Sequence, residues 1–157
     1  MTRTQRLSLL AAIMGSFVVG LDATVVNVAL PAIELVREYD RTLPRMTVRG
    51  SELNQVWTNL LDNAIGALGE QGTITIRTSS DNDCAVVEIG DDGPGIPPEI
   101  RERIFDSFFT TKDVGQGTGL GLATARRIVV DRHDGSLTVE SEPGRTTFHV
   151  SLPLPKP

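Results

Sequence analysis

Charge divides this chain at residue 33. It carries 15 basic and 20 acidic side chains in 157 residues, and of these only Arg3, Arg6 and Asp22 fall before the division. The remaining 124 residues hold the other 32, so the net charge is +1 in the first segment and −6 in the second. The change in charge density marks a seam in the chain. We therefore read two segments of different origin, 1–33 and 34–157. The second has the length of one ordinary domain.

Residues 7–30 are nearly all apolar, and as an α-helix they are long enough for a hydrocarbon core of about 30 Å. The nine Leu, Ile, Val and Phe residues in the window 9–27 favour insertion by roughly 3 to 5 kcal/mol. Asp22 opposes it by about 2.5 to 3.5 kcal/mol, so a lone span is marginal. The run Leu21-Asp22-Ala23-Thr24-Val25-Val26-Asn27-Val28-Ala29-Leu30-Pro31 resembles the first transmembrane helix of major-facilitator drug-efflux transporters. One helix makes no transport path, and transport is not implied. A signal peptide and a helix packed on the protein surface stay open beside a membrane-seeking helix. Arg3 and Arg6 before the run favour a cytoplasmic N-terminus. A true span would then export everything after it. The expectation is a helix that associates with the membrane or folds against the domain without a stable span, leaving the remainder a cytoplasmic domain.

Composition limits the second segment. Aromatics are 4% of the chain, so the core must be built mainly from Leu, Ile, Val and Ala. The acidic balance argues against nucleic acid as a partner. The single cysteine, Cys84, excludes an internal disulfide and a cysteine metal cluster. Periodicity predicts a strand at 33–38 and a helix at 52–68 with Ser51 as N-cap. A hairpin follows at 73–90, turning at 80–83. A short helix is predicted at 99–104, a long loop at 106–118, a helix at 120–130, and strands at 136–140 and 146–152. The elements mix without regular β-α-β alternation, which predicts an α+β two-layer sandwich rather than a doubly wound sheet.

Three constellations carry chemistry. Glu52, Asn59 and Asn63 fall within about 40° on a helix, a polar stripe whose amide oxygens suit a hard cation such as Mg²⁺ with bound phosphates. Asp91-Asp92-Gly93-Pro94-Gly95 follows a strand. Its glycines let backbone approach a flat ligand, and an ionised Asp can accept from an exocyclic purine amine. Gly115-Gln116-Gly117-Thr118-Gly119-Leu120-Gly121-Leu122 opens a helix, where bare amides attract anions. Each alone has a plain structural reading: a solvated helix face, a tight turn, a hinge.

Taken in order they resemble a family. Asn59-Leu60-Leu61-Asp62-Asn63-Ala64, Asp91-x-Gly93-x-Gly95, Phe105-x-x-Phe108-Phe109-Thr110-Thr111-Lys112 and Gly117-Thr118-Gly119-Leu120-Gly121-Leu122 resemble the four nucleotide boxes of sensor histidine kinases. Those kinases share a superfamily with DNA gyrase, Hsp90 and mismatch-repair ATPases. The resemblance covers about 34–155 and implies a Bergerat-type ATP-binding fold preceded by the extra apolar helix. It implies ATP and Mg²⁺ as cofactors. Asn63 is the implied metal ligand, and Asn59 assists phosphate or metal. Asp91 is the implied adenine reader, aided by Gly95 and Thr146. Lys112 is a lid cation; Gly117, Gly119 and Gly121, with Thr118 and Leu120 between them, are the phosphate cradle. Phe105 and Phe109 anchor the lid, and Gly93 belongs to the adenine loop. Asn59 stands where hydrolysing members carry Glu, which favours phosphoryl transfer over water activation.

The kinase pattern begins directly after the apolar run. No helical hairpin bearing a phosphoacceptor histidine is recognised, and His133 and His149 read as structural. Phosphotransfer is then expected only in trans, to a separate His-bearing dimerisation domain or towards a response regulator. A non-enzymatic ATP-binding module and a gene fusion without function stay open as alternatives.

Overall fold

The computed structural model describes residues 33–111 and 118–154. The expected apolar helix at 7–30, Lys112 and Gly117 lie outside the described residues. Among those described, no helix is long and apolar enough to cross a membrane.

Eight elements follow in chain order: β1 (Ile33–Glu38), α1 (Gly50–Leu68), β2 (Gly72–Asp81), β3 (Cys84–Asp91), α2 (Pro98–Arg101), α3 (Gly121–His133), β4 (Ser136–Glu142) and β5 (Arg145–Pro153). The strands form one sheet in the order β1-β2-β3-β5-β4. β1 runs parallel to β2 and every other neighbouring pair is antiparallel. The α+β two-layer reading holds.

The layers meet through side-chain periodicity. On α1, Leu53, Val56, Trp57, Leu60, Leu61, Ala64 and Ile65 are buried, a stripe at the 3.6-residue helical period. On β2 and β3, Ile74, Ile76, Val87 and Ile89 alternate inward, as the two-residue strand period requires. Ala125, Ile128 and Val129 bring α3 onto the same core, beside Phe148, Val150 and Leu152 of β5. The opposite sheet face is polar. Arg77 pairs with Glu38 at 2.7 Å and His149 Nδ1 with Glu88 at 3.1 Å. His133 Nδ1 donates to the Ile128 carbonyl at 3.0 Å at the end of α3.

The structure corrects several boundaries. Ser51 is no cap: the helix begins at Gly50, and Arg49 precedes it without a side-chain cap. The hairpin turn is shorter than 80–83, because β2 runs to Asp81 and β3 starts at Cys84. Asn82 and Asp83 take φ of 46° and 62°, the left-handed pair of a two-residue hairpin turn that Asn and Asp tolerate. The helix expected at 99–104 is a single turn ending at Arg101.

Candidate functional site

The cleft opens at one end of the helix layer. It measures about 510 Å³ and lies between the second half of α1, the C-terminal end of β3, the start of β5 and the N-terminus of α3. Asn59 and Asn63 are one helical turn apart on α1, and both line it. Asn59 Nδ2 is buried without a hydrogen-bond partner among the described residues, a costly state for an amide donor unless a ligand or water completes it. Gly121, the first residue of α3, stands against Asn59: a Cβ there would lie 3.5 Å from Asn59 Oδ1. Leu120 caps α3 without a side-chain hydrogen bond. The first-turn amides are therefore free of side-chain caps, and the positive end of the helix faces the cleft.

Asp91 ends β3 and is 6% exposed. Its Oδ1 accepts the Gly93 N–H at 3.0 Å. Burial raises its pKa to about 6, with the neighbouring Asp92 adding to the rise and the Gly93 amide opposing it. Sheet register sets Asp91 opposite Thr146 on β5, and Thr146 is buried as well. Asp92 points elsewhere: it accepts the Thr73 N–H at 2.7 Å and ties the loop to β2. Gly95 takes φ +85°, and a side chain there would collide with the Glu142 carbonyl. The loop after β3 can lie against the β4–β5 turn only with glycine at this position.

The far wall comes from 104–111 and 118–122. Ile104, Phe109, Thr110, Thr118, Gly119 and Leu122 line it. Phe108 N–H donates to the Gly119 carbonyl at 2.9 Å, closing the loop at its base. Gly119 (φ +64°) packs on the Phe108 backbone too closely for a Cβ. Arg103 stacks over Phe109 at 4.7 Å.

Asn59, Asn63, Asp91, Gly95, Phe109, Thr118, Gly119, Gly121 and Thr146 thus line one cleft, as the expected set requires. Gly93, Phe105 and Leu120 do not line it. Gly93 donates its N–H to Asp91. Phe105 meets Phe148 edge-on at 6.4 Å, with Arg126 over its ring. Leu120 is 38% exposed. Glu52 leaves the stripe that helical angles gave it: it binds Arg132 at 2.8 Å near the N-terminus of α1. Phe148 and Asp62 also line the cleft, and neither stands out in the sequence as a site residue. Phe148 was legible, since it shares a strand face with Thr146. Among the described residues, the titratable side chains lining the cleft are Asp62 and Asp91, without a Lys or Arg.

The family model described as "Histidine kinase-, DNA gyrase B-, and HSP90-like ATPase" matches residues 49–156. The sensory histidine kinase/phosphatase NtrB of Rhodobacter capsulatus is 41% identical over 133 residues, which cover 76% of this chain and 37% of that protein. The chain therefore spans little more than a third of that curated relative. The catalytic domain of histidine kinase ThkA, in a nucleotide-free form, superposes with a TM-score of 0.69 at 36% identity, covering 77% of this chain and 80% of that one. ThkA in complex with the response regulator protein TrrA gives 0.68 at 26% identity, covering 99% of this chain and 41% of that one.

The Asp91 pKa has a consequence for stability. The group titrates at about 6 when folded, against 3.8 for an ordinary aspartate, so the folded state holds its proton more tightly. Stability of the nucleotide-free protein falls as pH rises from about 4 to 6 and stays reduced above, by roughly 3 kcal/mol at most. Asp91→Asn keeps the acceptor for Gly93 and removes the charge. It is expected to raise the melting temperature of the empty protein clearly more at pH 8 than at pH 4.5. Thermal melts at the two pH values check this, and equal shifts at both would contradict it.

Proposed function

The chain belongs to the histidine kinase-, DNA gyrase B- and HSP90-like ATPases, and we propose accordingly that its cleft binds Mg-ATP as the catalytic domain of a two-component sensor histidine kinase. The observation that carries the reading is convergence. Amides of α1, a buried carboxylate of β3 and the open N-terminus of α3 meet in one cleft, and Asn59 Nδ2 lies there without a partner among the described residues.

The residues fit the nucleotide by their chemistry. Asp91, ionised, accepts from the adenine amine, with Thr146 beside it and Gly95 leaving room for the ring. Asn59 donates Nδ2 to phosphate oxygen, and Asn63 offers its amide oxygen to Mg²⁺. Thr118, Gly119 and the first amides of α3 receive the phosphates, with Leu120 in the turn between and Gly117 and Lys112 read as completing the lid. Phe109 and Phe105 hold that lid to the core, and Gly93 steadies Asp91. Among the described residues no group of three His, Cys, Asp or Glu side chains could hold a metal, so a cation here completes its shell from phosphate and water. Bound Mg²⁺ would add positive charge beside Asp62 and Asp91, the titratable groups that line the cleft among the described residues.

Positioning and electrostatics supply most of phosphoryl-transfer catalysis. The proposed acceptor is a histidine on a helical dimerisation domain, with a response regulator next in line. The similarity to ThkA, whose complex with the response regulator protein TrrA is solved, supports such a partner. We read 34–157 as this catalytic domain and 1–33 as a transporter-like apolar segment. Its run at 7–30 associates with the membrane without a stable span, and the domain stays cytoplasmic.

Titration calorimetry of the full chain with ATP tests the site. Binding is expected with Mg²⁺ and nearly lost on chelation. Asp91→Asn turns an acceptor into a donor facing the amine, and affinity should fall by about ten- to a hundredfold. Equal affinities in the two proteins would remove Asp91 from this role. Reporters fused at Pro157 test the topology: the cytoplasmic reporter is expected to be active, and activity of the external one alone would contradict the cytoplasmic assignment.

A further inference from the structure

Ser141 of β4 serves three partners with one hydroxyl. The Ile96 N–H donates to its Oγ at 2.7 Å. The Oγ donates to the Arg145 carbonyl at 3.3 Å. Its third neighbour is Thr146 Oγ1 at 2.8 Å, where either atom could give the hydrogen. A hydroxyl has one hydrogen and two lone pairs. Arg145 takes the hydrogen and Ile96 takes one lone pair. All three contacts exist together only if Thr146 donates its own hydrogen to the lone pair that is left.

That choice fixes what Thr146 shows to the cleft. Its hydrogen is turned towards Ser141, so its free lone pairs face the ligand. Thr146 is 4% exposed and stands across from Asp91, and both line the cleft. An ionised Asp is likewise acceptor-only. This end of the cleft therefore presents acceptors from two strands. A 6-amino purine brings N–H donors to them. A 6-oxo purine brings a carbonyl oxygen and sets lone pair against lone pair.

We propose that Ser141 is a positioning residue that fixes Thr146 as an acceptor and so gives the site its preference for a 6-amino over a 6-oxo purine nucleotide. The inference rests on the nucleotide reading above and assigns the origin of its base selectivity. The same serine holds the wall of the cleft. Ile96 is gripped at its N–H by Ser141 and at its carbonyl by the Arg101 guanidinium at 3.2 Å. A role confined to propping this loop would weaken every nucleotide alike. A role in hydrogen direction changes their ratio.

The test compares ATP and GTP, each with Mg²⁺, on the full chain by calorimetry. The wild type is expected to prefer ATP. Ser141→Ala frees the Thr146 hydroxyl to donate to a carbonyl, and the ATP-to-GTP preference should fall by about tenfold. Ser141→Thr keeps a hydroxyl and should keep the preference. In a Thr146→Val background, Ser141→Ala should leave the ratio unchanged. If thermal melts show that Ser141→Ala does not fold, Ser141→Cys replaces it. Its thiol fills the volume but bonds weakly, and the same fall in preference is expected. Equal losses for both nucleotides, with the ratio intact, would overturn the proposal. A wild type that binds neither nucleotide would overturn the nucleotide reading itself, and this inference with it.

Discussion

Asp91 is a carboxylate that folding has withdrawn from water and set where two strands end side by side. Such a group is unfavourable in an empty protein, and its surroundings show how it is kept. The Gly93 amide gives one compensating hydrogen bond. Asp92 turns to Thr73 rather than adding its charge inside the cleft. Thr146 faces Asp91 through the β3–β5 register, a polar neighbour rather than an apolar one. The site holds a group that is unfavourable alone and useful against a hydrogen-bond donor, so stability is given up where binding needs it.

The rest of the fold aligns other parts on that carboxylate. α1 and α3 pack on the same sheet face, and Gly121 sets the α3 N-terminus against Asn59. The positive end of a helix, two amides and a buried acid then share one opening. The loop after β3 reaches the opposite hairpin because Gly95 lacks a side chain, and Ser141 fastens it there. The Asp91 end and the α3 end are thus separate features of one cleft. Each is bounded by a backbone approach that a Cβ would prevent, Gly95 on Glu142 at one end and Gly119 on Phe108 at the other.

Much of this was legible in the residues. β1 begins and ends where the sequence pattern predicted it, and α1 ends at the predicted Leu68 and starts two residues before the predicted 52. The resemblance pointed to Asn59, Asn63 and Asp91, and the fold brings the three to one cleft. Two features that went unread depend on contacts distant in sequence. Helical angles put Glu52 on the same stripe as Asn59, but seven residues of helix separate the two by about 10 Å, and Arg132 claims it. Ser141 looked like an ordinary hairpin residue. Its importance comes from Ile96, 45 positions away, and no periodicity encodes that. The short α2 ended early because a helical stretch of six residues is too short to propagate on its own.

Amides, carboxylate and helix end are held to act together on a single ligand. Amide NMR of the full chain, titrated with Mg-ATP, reads this out residue by residue. Saturable shifts are expected, gathered at Asn59, Asn63, Asp91, Gly95, Gly119, Gly121 and Thr146. The second depression at the other end of the helices, lined by Arg49, Arg132 and His133, should stay unmoved. Shifts centred on that second depression, or no saturable shift at all, would contradict the shared site.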